Sequence, residues 1–161
     1  MKYSDTVILV FAKAPVAGKV NTRLISDIGE SAATQLQTDF IRQRLQMLSS
    51  ADLCDVILMC AHDINHEYFE RCKQRYPVTL VEQRGEDLGE RLLDGIEKAL
   101  ERYRYCIVIG TDAPALDATA IQQAIDVLHK QTEVVFVPAE DGGYVLVGLQ
   151  KPYDFLFQNI K

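Results

Sequence analysis

Tyr105-Cys106-Ile107-Val108-Ile109-Gly110-Thr111-Asp112-Ala113-Pro114 is the stretch on which the reading of this 161-residue chain turns. Residues 105–110 begin as an apolar, β-branched run, the pattern of a strand buried on both faces. The run breaks at Gly110, presents a carboxylate at Asp112 and is stopped by Pro114. A hydrophobic strand ending in an acid sets that acid at the carboxyl edge of a sheet, where open α/β sheets bind ligands. A turn or helix cap is the plainer role for Asp112, because Asp is a favoured turn residue. This stretch alone leaves both roles open.

Working outward, other segments repeat the strand pattern. Residues 6–11 read as a first buried strand, 55–61 as a second, 78–82 as a third, 133–138 as a fifth and 144–149 as a sixth. Between them lie amphipathic helices. Residues 30–50 place Leu36, Phe40, Ile41, Leu45, Met47 and Leu48 on one half of a wheel, and residues 67–75 form a short helix ended by Pro77. Asp87-Leu88-Gly89-Glu90 has capping-box spacing ahead of Leu92, Ile96, Ala99, Leu100 and Tyr103, and Asp117 caps a helix that buries Ile121, Ala124, Ile125 and Leu128. Alternating strands and helices predict a three-layer α/β/α domain with a mostly parallel sheet. The connection between the last two strands is too short for a crossover, so they run antiparallel, as a hairpin or with another strand between them. The whole of residues 1–161 reads as a single domain.

Bulk composition narrows the function classes. The net charge of −6 argues against general binding to nucleic acid or anionic membranes, while leaving room for a local basic cluster. No apolar run approaches the ~20 residues of a membrane span. Cys54, Cys60, Cys72 and Cys106 form no Cys-x-x-Cys pair, and three fall in or beside strand-like runs, where a free thiol behaves as a small buried hydrophobe. With no signal peptide recognisable, a reducing cytoplasm is the expected compartment.

Three constellations carry chemistry. Phe11-Ala12-Lys13-Ala14-Pro15-Val16-Ala17-Gly18-Lys19-Val20-Asn21-Thr22-Arg23-Leu24 follows the first strand and sets three cations around a glycine, as a phosphate cradle would. It is neither a Walker A loop nor a dinucleotide fingerprint, and a solvated basic loop is the alternative. Asp112 and Asp141 each follow a strand read as buried. Together they could hold Mg²⁺ or Mn²⁺ bridging phosphate oxygens. Asp141-Gly142 also has the signature of a hairpin turn, and the two roles are compatible. Glu140 or Asp141 is the candidate general base at that edge. The stretch from Glu82 to Arg91 again follows a strand and opens a helix, and Gln83 offers a donor and an acceptor to a base edge. His62-Asp63-Ile64-Asn65-His66 departs from the His-Glu-x-x-His zinc pattern. It straddles a strand end and a helix start, with Asn65 as the expected N-cap. No Gly-x-Ser-x-Gly elbow is present.

Phe11-Ala-Lys-Ala-Pro15, Gly18-Lys-Val-Asn-Thr-Arg-Leu24, Gly110-Thr-Asp-Ala-Pro114, Pro138-Ala-Glu-Asp-Gly-Gly-Tyr144 and Val147-Gly-Leu149 together resemble one family over nearly the whole chain. It is the glycosyltransferase-A-like group of small transferases of the radical-SAM/selenodomain-associated transferase 1 type, in the nucleotide-diphospho-sugar transferase superfamily. The molybdenum-cofactor and 2-phospholactate guanylyltransferases share its fold. The resemblance implies that Ala12, Lys13, Gly18, Lys19, Thr22 and Arg23 hold nucleotide phosphates, that Gln83, Gly85 and Leu88 line a base pocket, and that Asp112 holds the metal. It also implies that Glu140, Asp141, Gly142, Gly143 and Tyr144 face the acceptor. Catalysis would then fall to Asp112, Asp141 and Arg23. The activity implied is metal-dependent glycosyl transfer from a nucleoside-diphosphate sugar, with nucleotidylyl transfer from an NTP as the alternative. Two departures matter: Ala17 and Asn21 stand where the family usually has a Pro and a Lys, and the family continues past the present C-terminus through a tryptophan-containing segment. The fold is thus expected in a C-terminally shortened form. That suggests a third reading, a non-catalytic nucleotide-binding or assembly module with an exposed sheet edge open to a second copy.

Overall fold

The computed structural model describes residues 1–130 and 132–158. Its strands are β1 (Thr6–Lys13), β2 (Asp55–Ala61), β3 (Val78–Glu82), β4 (Tyr105–Ile109), β5 (Val134–Pro138) and β6 (Tyr144–Leu149). Its helices are α1 (Ile25–Ile28), α2 (Glu30–Ala51), α3 (Glu67–Arg75), α4 (Leu88–Leu100) and α5 (Ala118–His129), with 3₁₀ turns at Thr22–Leu24 and Asp154–Phe157. The strands form one sheet in the order β3-β2-β1-β4-β6-β5. β1 pairs in parallel with both β2 and β4, and β6 runs antiparallel between β4 and β5. Of the two arrangements the short connection allows, the last two strands take the hairpin, with its second strand inserted next to β4.

Period-two alternation sorts the strand residues between two cores. Ile8, Val10, Leu58, Ile107, Ile109 and Leu146 face one way, onto Ile41, Leu45 and Leu48 of α2, Phe69 of α3 and Ile121, Ile125 and Leu128 of α5. Val7, Leu9, Met59, Cys106, Val108 and Val147 face the other, onto Leu92, Ile96 and Ala99 of α4 and Phe157. Each fully buried Ile or Leu contributes about 1.5–3 kcal/mol of transfer free energy. The two cores clamp β1 and β4 in the middle of the sheet. At the amino edge, Thr6 Oγ1 lies 3.0 Å from His129 Nε2, and that ring stacks on Tyr105.

Three local expectations are corrected. β5 is an edge strand rather than a buried one: Phe136 is 45% exposed, because α5 covers one face and, among the described residues, no helix covers the other. The buried stripe of α2 includes Gln37 and Arg44, while Leu36, Phe40 and Met47 are only half-buried. The N-cap of α3 is His66, whose Nδ1 accepts from the Tyr68 N–H at 3.0 Å, while the Asn65 N–H donates to Asp63 Oδ1. That cap occupies one of the two histidines of the zinc-like run. Asp87 and Asp117 cap α4 and α5 as their spacing predicts, accepting from Glu90 and Ala120 N–H groups.

All four cysteines are free and buried. Burial pushes the thiols of Cys54 and Cys60 up to about 12 and that of Cys72 to about 11, and raises Cys106 as well. Since the thiolate is the nucleophile, the native protein should react with a thiol reagent such as DTNB far more slowly than the unfolded chain. Addition of denaturant should release all four. Rapid native-state labelling of any of them would contradict this packing.

Candidate functional site

Because β1 and β4 are parallel neighbours, their carboxyl ends emerge side by side, and the loops after them share one edge of the sheet. A cleft of 920 Å³ opens there. Asp112, on the loop after β4, lines it together with Glu140, Asp141, Gly143 and Tyr144 from the β5–β6 turn. Phe11, Leu88 and Leu92 supply an apolar wall. Both residues of the predicted acid pair therefore line one cleft. The strands beneath them differ, since β4 is buried along its whole length and β5 is not.

Within the turn, the Gly143 N–H donates to Asp141 Oδ1 at 3.2 Å, and the Ala139 N–H donates to the Gly143 carbonyl at 2.9 Å. Gly142 occupies the turn between them with φ +93°. Asp141 thus has one oxygen engaged in its own turn. Asp112 is exposed and has no hydrogen-bond or salt-bridge partner among the described residues, so both its oxygens are available. Among the described residues no three His, Cys, Asp or Glu side chains gather to hold a metal by themselves. Two hard carboxylate donors fit Mg²⁺ or Mn²⁺ as part of a set completed by substrate oxygens and water.

The cation loop lies outside this cleft: Lys13, Gly18, Lys19, Thr22 and Arg23 are absent from its wall. Lys13 ends β1, and the Ala14 N–H continues the β1–β2 ladder onto the Ala61 carbonyl at 3.0 Å, which brings the loop beside His62. Burial lowers the His62 imidazole below its ordinary value, and the charges of Lys13, Lys19 and Arg91 lower it further. Their charges are thus felt at His62, at the carboxyl edge of β2. Arg23 lies on the exposed Thr22–Leu24 turn, with no ion pair among the described residues. Ala12 is buried in β1.

The third constellation also divides. Leu88 reaches the cleft wall. Gln83 commits its donor to main chain: Nε2 is 2.8 Å from the Met59 carbonyl and 3.5 Å from that of Ala12, leaving Oε1 as its remaining acceptor. Gly85 has φ +143°, and a Cβ there would lie 2.7–2.9 Å from Glu90 and the Arg91 nitrogen, so it packs the loop against α4. Its carbonyl accepts from Arg91 Nε at 3.0 Å, which fixes that cation near His62.

Arg44 is a residue that sequence reading missed. It is 4% exposed, and its two terminal nitrogens donate to the Leu116 and Ala113 carbonyls, each at 2.6 Å. Burial lowers its guanidinium below the ordinary value, and the nearby Asp112 carboxylate opposes that shift. Its spacing from Gln37, Ile41 and Leu48 was the available signal, since all four fall on one buried stripe.

His62 supplies a pH-dependent readout. A folded-state value held below the ordinary 6.5 means the unfolded chain takes up its proton first as pH falls. The group therefore withdraws stability on acidification through that window and is neutral in its effect well above it. Its ring-proton resonances should titrate below 6.5, and Lys19→Gln should move the midpoint upward. A midpoint unmoved by that substitution would remove Lys19 from the cluster.

A three-layer α/β/α arrangement, with one antiparallel strand in an otherwise parallel sheet and a cleft at its carboxyl edge, is the nucleotide-diphospho-sugar transferase fold. A crystal structure from Desulfovibrio desulfuricans G20, of a protein assigned to the nucleotide-diphospho-sugar transferases, superposes with a TM-score of 0.86 at 30% identity, over 98% of this chain and 69% of that one. The 4-diphosphocytidyl-2C-methyl-D-erythritol synthase of Anaerococcus prevotii DSM 20548 gives 0.64 at 11% identity, over 99% of this chain and 79% of that one. A cytidylyltransferase of Leptospira borgpetersenii serovar Hardjo-bovis (strain JB197) gives 0.60 at 14%, over 98% and 72%. These last two share the fold alone. Residues 31–161 match the family described as an uncharacterized protein conserved in bacteria (DUF2064), and the chain belongs to that family. No curated protein matches. Among the described residues no helix is long and apolar enough to cross a membrane.

Proposed function

We propose that the protein is a metal-dependent transferase that moves a glycosyl group from a nucleoside-diphosphate sugar, of the radical-SAM/selenodomain-associated transferase 1 type. The observation that carries this reading is the convergence of Asp112 and Asp141 on one cleft beside an apolar wall of Phe11, Leu88 and Leu92. A base or sugar ring would pack on that wall, and Lys13, Lys19 and Arg91 would attract the diphosphate electrostatically. A Mg²⁺ or Mn²⁺ ion held by Asp112 with Asp141 would offset the charge on the departing nucleoside diphosphate. The acceptor hydroxyl would attack the anomeric carbon as the bond to the phosphate oxygen breaks. Glu140 would take the hydroxyl proton where Asp141 helps hold the metal, and Asp141 would take it only where Asp112 holds the ion without it.

Arg23 is exposed and away from the cleft wall, which favours a role in long-range attraction over contact with the reacting atoms. The positive charge that Lys13, Lys19 and Arg91 bring to bear at His62 supports a second reading, nucleotidylyl transfer, because that much positive charge also suits a triphosphate. Four reduced, buried cysteines support a reducing cytoplasm as the compartment.

A thermal-shift panel of NTPs, nucleoside diphosphates and nucleotide sugars, each with and without Mn²⁺, tests both. A ligand at a hundredfold excess over its Kd should stabilise the protein by about 2.7 kcal/mol. Stabilisation by a nucleotide sugar only when Mn²⁺ is present supports glycosyl transfer, and preference for an NTP supports the alternative. A chain indifferent to every nucleotide would end both readings.

A further inference from the structure

We propose that Arg44 is a positioning residue for Asp112. From beneath, its guanidinium sets the shape of the loop between β4 and α5, and so fixes where the carboxylate stands. The Asp112 arm of this inference rests on the function proposed above; the loop-shaping arm does not.

A buried arginine is an expensive way to fill this position. Taking a guanidinium out of water costs several kcal/mol unless its donors are satisfied, and a Met or Leu would fill the same space without that penalty. The helix places only Arg44 and Gln37 as polar side chains on its fully buried stripe, two turns apart. Both are directed at loops on the carboxyl edge of the sheet. Gln37 Nε2 donates to the Lys13 carbonyl at 2.9 Å, where the cation loop begins. Arg44 Nη2 and Nη1 donate to the carbonyls of Ala113 and Leu116, which flank Pro114-Ala115, at 2.6 Å each. The same loop closes on itself through the Leu116 N–H to the Ala113 carbonyl at 3.0 Å. A rigid two-pronged fork thus turns these carbonyls inward, while Asp112 is exposed to the cleft. One helix holds the entry of the cation loop and the acid loop at a set spacing. Arg44 Nε has no partner among the described residues, so the grip is confined to the two terminal nitrogens.

Charge alone makes the opposite prediction, which separates the two accounts. Arg44 lies close enough to feel Asp112, so its positive charge repels a cation bound there. If Arg44 acted only through that charge, Arg44→Met would tighten cation binding. If it acts by shaping the loop, the same variant weakens it. Lysine keeps the charge but lacks the planar fork, so Arg44→Lys should fail to rescue.

The experiment uses the full chain with Arg44→Met and Arg44→Lys. Hydrogen exchange of amides in the 110–117 loop is measured without ligand, and Mn²⁺ alone is titrated by electron paramagnetic resonance. Both variants should exchange these amides at least about tenfold faster while the β1 and β4 amides keep their protection. Both should also bind Mn²⁺ more weakly. Unchanged loop exchange, full rescue by lysine, or tighter Mn²⁺ binding in Arg44→Met would each overturn the proposal. Should the Met variant fail to fold, the Lys variant carries both measurements. A wild-type protein that binds no Mn²⁺ removes the cation role of Asp112, and the exchange result then decides the role of Arg44 by itself.

Discussion

Asp112→Asn should remove Mn²⁺-dependent nucleotide binding while leaving the melting temperature close to that of the parent protein. The substitution keeps size and shape and removes only the charge. Asp112 is exposed and unpaired among the described residues, so the folded state loses no ion pair or hydrogen bond with it. Changes in residues that merely orient metal ligands cost about 10–100-fold in affinity, and loss of a ligand charge should exceed that range. Asp141→Asn should have a smaller effect, because one of its oxygens already accepts from the Gly143 N–H and the turn remains able to form. Calorimetry with Mn²⁺ and the best nucleotide from the thermal panel measures both. Equal affinities for the parent and Asp112→Asn would show that the carboxylate at the end of β4 takes no part in holding the ligand.

How far this site could be read from the chain depends on which kind of contact builds it. Strand β4 was legible because a buried strand is written as a continuous apolar run, and Asp87 and Asp117 were legible because short oxygen side chains at N-caps follow a spacing rule. The exposure of β5 was not, since Val134-Val135-Phe136-Val137 has the same composition whether or not a helix covers its outer face. His66 escaped as a cap because imidazole is an uncommon N-cap acceptor, and the neighbouring Asn65 satisfied the rule better. Gln37 and Arg44 escaped for a different reason. Polar side chains on an amphipathic helix are normally assigned to solvent, and only their tertiary partners, carbonyls of distant loops, account for their burial. The separation of the cation loop from the cleft wall was equally hidden. Topology brings the loops after β1 and β4 to one edge, but which side chains reach the cleft depends on loop conformations that no periodicity records.

Gly89→Val should destabilise the protein by about 2–3 kcal/mol, chiefly by dislodging the Asp154–Phe157 turn from α4. Gly89 is buried in the first turn of that helix, and a Cβ built on it would lie 1.9 Å from the Phe157 carbonyl oxygen. No rotamer relieves this contact, because the clashing atom is main chain. The turn must lift away, and Phe157, now 3% exposed, would leave the core formed with Leu92 and Ile96. For a chain of this size each kcal/mol corresponds to about 2–4 °C, so the melting temperature should fall by roughly 4–12 °C. Gly95→Ala gives the contrast within the same helix: its Cβ would meet the terminal methyl of Met59 at 3.2 Å and the Phe11 ring edge at 3.3 Å, and flexible side-chain ends can yield by tenths of an ångström. Its effect should be much smaller. Because Leu88 lines the cleft immediately before Gly89, the Val variant should also weaken nucleotide binding, which a purely peripheral turn would not do. A Gly89→Val protein as stable as the parent would mean that the Asp154–Phe157 turn does not dock on α4, and that the wall of the cleft near Leu88 is not braced by it.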